Sequence, residues 1–321
     1  MHIFACNAAT LTMTLSPRPS LLSQRFTLLN SGALDTRALY YAQNHQTLTA
    51  RSLCIDTHTA LYSEIRSRNQ PSCHRTTTQW QGVYASLIIT SGQHHLIDGM
   101  NEHGLVANVL PESNDERLHT CTTLAIEHLA LFLLDTCSSV PGALQALRTS
   151  TARALLPVTH EPHRLALSDI NGQSALIVLS NQRWYVYNSQ NSQLMTPSPV
   201  FSDRIKHKEY LGKLYNIVRS SHDAQDTVSN HATCAERDRI ATPDQDTYTT
   251  DELQNTASMF SVIASTSAPA YASYKSAAHA WLGVADQHNK VFFVENNARN
   301  TFTCIPFSSL DLTHTARHLL P

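Results

Sequence analysis

Residues Leu96 to Leu110 constrain this chain more than any other stretch, because apolar segments flank a short centre of turn-forming residues. Leu87, Ile88 and Ile89 come before it, and Leu105, Val106, Ala107, Val109 and Leu110 close it. The centre reads Asp98-Gly99-Met100-Asn101-Glu102-His103-Gly104-Leu105. Two apolar arms around such a centre predict strand, tight turn, strand. Glycine alone passes freely through positive φ, so Gly99 and Gly104 are both expected at turn positions that other residues avoid.

A chain of 321 residues is long enough for one large or two ordinary domains with a substantial core. It carries no internal repeat and no linker dividing two domains. The reading is therefore one domain over 35–321, preceded by residues 1–34 as a leader, propeptide or disordered extension. Charged residues make up only 15% and the formal net charge is −2, so neither a nucleic acid nor a strongly charged protein is an expected partner. The longest apolar run, Leu129 to Leu134, falls far short of the roughly 20 residues that span a bilayer, which predicts a soluble chain.

Seven cysteines (Cys6, Cys54, Cys73, Cys121, Cys137, Cys234, Cys304) show no Cys-x-x-Cys spacing, and an odd number cannot all pair internally. Neither a disulfide framework nor a zinc site is expected. The 18 histidines are scattered. His94, His95 and His103 crowd one turn, but no strand or helix spacing makes them a ligand set, so a solvated turn is expected. No metal and no cofactor are implied.

Residues 1–34 lack a basic start, and Pro17 and Pro19 interrupt their apolar content. Only Ser31-Gly32-Ala33 resembles a small-residue cleavage site. A cytoplasmic location is favoured, with a periplasmic or secreted one if this segment acts as a leader.

Order begins at Asp35. Asp35 to Tyr41 and Thr47 to Leu53 are β-rich arms around a polar turn at Gln43 to Gln46. Thr120 to Thr136 places Leu124, His128, Leu131 and Leu134 on one helical stripe, and Val140 to Leu147 starts a second helix with Pro141 in its first turn. Arg164 to Tyr187 alternates on both sides of a hairpin turn at Asp169-Ile170-Asn171-Gly172. Ser202 to Tyr215 reads as a helix capped by Ser202 or Asp203. Thr249 to Ala264 reads as another, with Thr250 capping and Leu253, Ala257, Phe260 and Ala264 on one face. A last hairpin, Ala280 to Ile305, turns at Asp286 to Asn289. Hairpins, helices, hairpins, a helix and hairpins again predict an α+β protein of antiparallel sheets covered by helices.

The string from Asp98 to Leu105 resembles the Asp-Gly-Met-Asn-Glu-Lys-Gly-Leu signature of the choloylglycine hydrolase and penicillin V acylase family, with His103 where Lys is usual. These are linear amide C-N hydrolases with an N-terminal nucleophile. The resemblance covers about residues 35–310 and implies a four-layer αββα sandwich, no cofactor, and a small acyl-amide as substrate or ligand. Self-association into a homo-oligomer stays open.

In family members of this kind the mature chain opens with Cys-Thr-Arg, then a hairpin, then Thr-Ala-Arg-Ser-Met-Asp. The Cys attacks the amide carbonyl, with its own free α-amine as base. Here Thr49-Ala50-Arg51-Ser52 matches, and Arg51 carries over the role of orienting Arg. A second, supporting Arg falls on Arg237, with Arg239 as alternative. Three roles are altered. Asp35 stands where the nucleophilic Cys belongs, and Cys54 where the orienting Asp belongs. Pro197, in Thr196-Pro197-Ser198-Pro199, stands where the oxyanion Asn belongs, and proline has neither an amide side chain nor a backbone donor. Asn108, Pro111 and Pro197 are the implied substrate-binding positions.

An Asp carboxylate is a poor nucleophile towards an unactivated amide, so the resemblance implies impaired or lost amidase activity. Two substitutes remain open. Cleavage after Asp35 would expose Thr36, a nucleophile the wider superfamily uses, although a one-residue shift on a strand turns the side chain to the opposite face. Cys54 has the right chemistry but no free amine. A catalytically silent relative that binds acylated molecules is the alternative outside enzymology.

Overall fold

The computed structural model describes residues 37–41, 46–56, 60–71, 78–92, 95–110, 123–155, 163–180, 183–190, 192–195, 252, 255–257, 259–260, 263, 278–296 and 301–321. In chain order the strands are β1 (Arg37–Tyr41), β2 (Thr47–Asp56), β3 (Leu61–Arg66), β4 (Ser86–Ser91), β5 (His95–Asn101) and β6 (Val106–Leu110). Three helices follow, α1 (Thr123–Thr136), α2 (Val140–Ala146) and α3 (Ser150–Ala154). Then come β7 (His163–Ser168), β8 (Gln173–Ser180), β9 (Arg183–Gln190) and β10 (Ser192–Met195). The chain closes with β11 (Ala278–Asp286), β12 (Val291–Asn296), β13 (Thr301–Pro306) and β14 (Ala316–Leu319).

Among the described residues the strands form two antiparallel sheets. One is ordered β10-β1-β2-β11-β12-β13 and the other β14-β3-β4-β5-β6-β7-β8-β9. Period-two alternation divides most of their buried side chains among three cores, with a small fourth cluster at Ala166 and Leu176. Leu87, Ile97, Met100 and Val106 meet Trp281, Phe292 and Val294 between the sheets. On the outer face of the larger sheet, Ile88, Leu105, Ala107 and Leu165 pack against Leu129, Leu133 and Leu134 of α1. On the outer face of the smaller sheet, Leu48, Ala50, Leu282 and Phe293 pack against Ala257, Met259, Phe260 and Ile263. The described residues from 252 to 263 are helical. Three cores between successive layers make helix, sheet, sheet, helix, which is the αββα sandwich.

The local signals explain the elements. Ser139 caps α2 by accepting from the Gly142 N–H, and Pro sits in its first turn, where a missing donor costs nothing. Asp169 folds the β7–β8 turn: Oδ1 accepts from Asn171 N and Gln173 N, and Gly172 takes φ of +71°. Its other oxygen accepts from Val140 N, so the turn also anchors the start of α2. Ala257 and Phe260 are buried as the helical face requires, whereas Thr250, Leu253, Ala264 and the expected helix at Ser202 to Tyr215 lie outside the described residues.

The central turn differs from its expectation. β5 runs as strand through Asn101, and the turn is confined to 102–105. Gly104 has φ of +79°, but Gly99 is not among the positive-φ residues. Gly99 answers a packing demand instead. A Cβ there would lie 2.6 Å from Leu134 Cδ1 and 3.0 Å from Ile88 Cγ2, so its bare backbone lets α1 settle on the sheet. Asn101 organises the turn. Its Oδ1 accepts from His103 N and Leu105 N, and its Nδ2 donates to Leu134 O in the last turn of α1 and to Cys137 O just past its end.

Candidate functional site

Arg51 lies in the middle of β2, on a row of polar side chains that cross from one sheet to the other. Leu48 and Ala50 point to the helical side, so Thr47, Thr49 and Arg51 face the larger sheet. Thr47 Oγ1 donates to Ile170 O at 2.9 Å. Thr49 Oγ1 lies 2.7 Å from Ser168 Oγ and 2.7 Å from Gln287 Oε1, and Gln287 Nε2 donates to Gly104 O. Arg51 Nη1 donates to Ile97 O at 2.8 Å and to Asp98 Oδ1 at 2.6 Å. Thr47, Thr49 and Arg51 are all buried.

A β-bulge makes the last of these contacts possible. β4 pairs Ile89 with Asp98 and Thr90 with Leu96, leaving Ile97 opposite no partner. The extra residue shifts the strand's phase, so Ile97 and Asp98 both serve the inter-sheet side, and the Ile97 carbonyl is freed to accept from Arg51. Asp98 pairs across the ladder with Asn108 of β6, and Asn108 Nδ2 donates to the same Oδ1 at 2.8 Å. On the other side Arg51 faces Gly283 of β11, where a Cβ would lie 3.9 Å from Asp98 Oδ2. The Arg51–Asp98 side chains are only 3% and 4% exposed. In such a setting the pair is held by geometry and hydrogen bonding rather than by a bare Coulomb gain.

Of the site residues read from the sequence, Arg51 and Asn108 are therefore brought together, with Asp98 between them. Cys54 lies three residues beyond Arg51 on β2, where its backbone pairs with Ala280. β1 pairs with β2 from Tyr41↔Thr47 to Arg37↔Arg51, so the chain enters this sheet at Arg51. Asp35, Thr36, Pro111, Pro197, Arg237 and Arg239 lie outside the described residues. The sequence reading brought Arg51 near the segment from Asp98 to Leu105 without naming Asp98 as its partner. An acidic residue inside an otherwise apolar strand, next to a glycine, was the available signal.

The histidines of the turn separate. His95 Nδ1 lies 3.1 Å from Glu127 Oε1, and the exposed His103 ring meets Tyr84 edge-on at 4.5 Å; His94 lies outside the described residues. No group of three or more His, Cys, Asp or Glu suited to a metal occurs among the described residues. Glu102, at the tip of the turn, accepts from Ala85 N and from Arg68, and the Arg68 hydrogen bond holds its carboxyl below the usual range. Burial pushes the thiols of Cys137 and Cys304 up, the latter to about 12, so both are poor nucleophiles.

This architecture has counterparts. A sequence model of the linear amide C-N hydrolases, choloylglycine hydrolase family, matches residues 36–234. A penicillin V acylase of Pectobacterium atrosepticum is 27% identical over 223 residues, which are 64% of this chain and 57% of that protein; the chain thus spans little more than half that relative's length. The penicillin V acylase of Agrobacterium tumefaciens superposes with a TM-score of 0.58 at 22% identity, over 88% of this chain and 90% of that one. A mutant conjugated bile acid hydrolase of Clostridium perfringens superposes with a TM-score of 0.54 at 13% identity, over 90% of this chain and 97% of that one. With the family model spanning more than half of the sequence and the sandwich fold in agreement, the chain belongs to the choloylglycine hydrolase family of linear amide C-N hydrolases.

Proposed function

We propose that this protein keeps the scaffold of an N-terminal nucleophile amide hydrolase and has lost, wholly or largely, the amidase reaction of its family. The sequence carries the reading: counted back from Thr49-Ala50-Arg51-Ser52, Asp35 falls where the resemblance expects the nucleophilic Cys, while Arg51 itself is held in place by a buried bond to Asp98. Losing the nucleophile forfeits nearly all covalent catalysis, and losing one oxyanion donor, as at Pro197, removes roughly 3 to 4 kcal/mol of transition-state stabilisation. What remains is a site for a small acyl-amide, of the kind named by its relatives: penicillin V or a conjugated bile acid.

A rerouted nucleophile is the competing reading. It is favoured by Cys54, a thiol-bearing residue three positions from Arg51 on the same strand. Thr36 is the other substitute, and would need cleavage after Asp35. The test combines hydrolysis of phenoxyacetyl p-nitroanilide with intact-mass measurement of the purified chain. The expected result is turnover within a few fold of the buffer rate. Fast turnover would overturn the proposal, and a mature N-terminus at Thr36 with activity lost in Thr36→Ala, or activity lost in Cys54→Ala, would identify the substitute.

A further inference from the structure

Two buried arginines of this fold are held in opposite ways. Arg66 presents a fork to Asp135, with Nε to Oδ1 at 3.2 Å and Nη2 to Oδ2 at 2.8 Å, and Trp80 Nε1 adds a third bond to the same carboxylate. That is how a guanidinium serves as a structural clamp, since the planar fork matches the carboxylate. Arg51 instead meets its Asp end-on, through Nη1 alone. Nη1 donates to both Ile97 O and Asp98 Oδ1, while the buried Nε–H has no acceptor among the described residues. A buried donor left without an acceptor is costly, and an arrangement that only held two sheets together would have used the fork.

From this contrast we infer that Asp98 and Asn108 are positioning residues, which hold the Arg51 guanidinium by one end and keep its Nε–H for an acceptor oxygen on an acyl-amide ligand. Asp98 reaches Arg51 because the bulge at Ile97 turns it inward. Asn108 sits opposite Asp98 in the ladder and donates to the same Oδ1 that Arg51 uses, so it fixes the carboxylate's rotation. Rotation of the guanidinium about Nε–Cζ would have to break both Nη1 bonds at once. The inference rests on reading Arg51 as part of the acyl-amide site, and it concerns binding geometry rather than turnover.

Nitrogen NMR of the full-length chain carrying labelled arginine tests it, with Arg51→Lys assigning the signals. In the parent the two Nη resonances of Arg51 should be resolved, reporting slow rotation. In Asp98→Asn and in Asn108→Ala they should merge, while those of Arg66 stay unchanged. Phenoxyacetamide should shift the Arg51 Nε–H in the parent and bind at least tenfold more weakly to Asn108→Ala. Resolved Arg51 signals in either folded variant would overturn the positioning role, and Asn108→Ala keeps the test decisive if Asp98→Asn does not fold. An Nε–H unmoved by saturating phenoxyacetamide would overturn its assignment as the ligand donor. Neither outcome depends on amide hydrolysis, so an active parent would overturn the proposed loss of activity without touching this inference.

Discussion

Arg51 and Asp98 join the two sheets of the sandwich through one charge-assisted bond of 2.6 Å, with both side chains almost wholly out of water. Removing one member leaves the other as an uncompensated buried charge, which costs about 3 to 5 kcal/mol, whereas replacing both with apolar groups of similar volume is often close to neutral. Asp98→Ala is expected to lose stability on that scale in urea unfolding followed by circular dichroism. Arg51→Met combined with Asp98→Leu should lose less than either single change. Additive losses in the double variant would show that the two groups do not act as a pair.

Gly99 and Gly104 are expected to fail for different reasons. Ala at 99 collides first with a side chain, Leu134 Cδ1, while Ala at 104 meets not only the Ile170 side chain but also the backbone oxygen of Gln287 at 2.6 Å, and must hold φ of +79°. Overpacking of this kind costs about 1 to 3 kcal/mol. Truncating Leu134 to Ala should therefore partly offset Gly99→Ala, giving a favourable coupling energy in a double-mutant cycle. No side-chain truncation should rescue Gly104→Ala. Equal behaviour of the two glycines would contradict the packing described for α1.

Asp311 provides a pH-dependent contribution whose sign is fixed by its surroundings. Hydrogen bonds from Thr313, reinforced by His314, hold its pKa down to about 2. A depressed folded-state value means the stabilisation is present above the ordinary carboxylate range and is lost as pH falls through about 2. Asp311→Asn should accordingly be less stable than the parent near neutrality, with the gap closing in acid. Thermal unfolding across that range checks it, and a gap that widens on acidification would reverse the assigned direction.

Cys304 and Cys137 should resist alkylation in the folded protein. Thiolate is the reactive form, and burial raises both pKa values, that of Cys304 to about 12. Iodoacetamide at pH 8 followed by peptide mass spectrometry is expected to label them only after unfolding in urea. Rapid labelling of Cys304 in the native chain would show that β13 opens far more readily than its pairing with β12 implies.

Residue pattern made most of this fold legible, because the hairpin turns carry their own chemistry. Asp169 and Gly172 fold the β7–β8 turn with bonds that need only local sequence, and Pro141 with Ser139 marks the start of α2 just as plainly. The central turn was harder. Alternation alone cannot locate a bulge, since one extra residue reverses every later side chain. That is why Asp98 was read into the turn when it belongs to the strand, and why its bond to Arg51 was invisible. Gly99 was misassigned for a related reason: a glycine required by a neighbouring helix looks the same in sequence as one required by φ. Arg51 was legible through its motif, and the carboxylate it shares with Asn108 was not.

The strongest test of the mapped site is its reversal. A chain starting at residue 35 with Asp35→Cys, Cys54→Asp and Pro197→Asn restores the thiol, free amine, orienting carboxylate and oxyanion donor together, beside an Arg51 that is already in place. Catalytic groups that act as a unit are strongly non-additive, so each single change should leave hydrolysis near the parent rate. One oxyanion donor alone is worth about 100-fold or more, so the triple variant should exceed its parent by at least that factor. Pro197→Asn is the step most dependent on its surroundings, since proline fixes φ near −65° and asparagine does not. Hydrolysis of phenoxyacetyl p-nitroanilide by the triple variant, the single variants and the unmodified chain makes the comparison. If the triple variant folds and is no faster than its parent, the mapping of Asp35, Cys54 and Pro197 onto the family's catalytic positions is wrong.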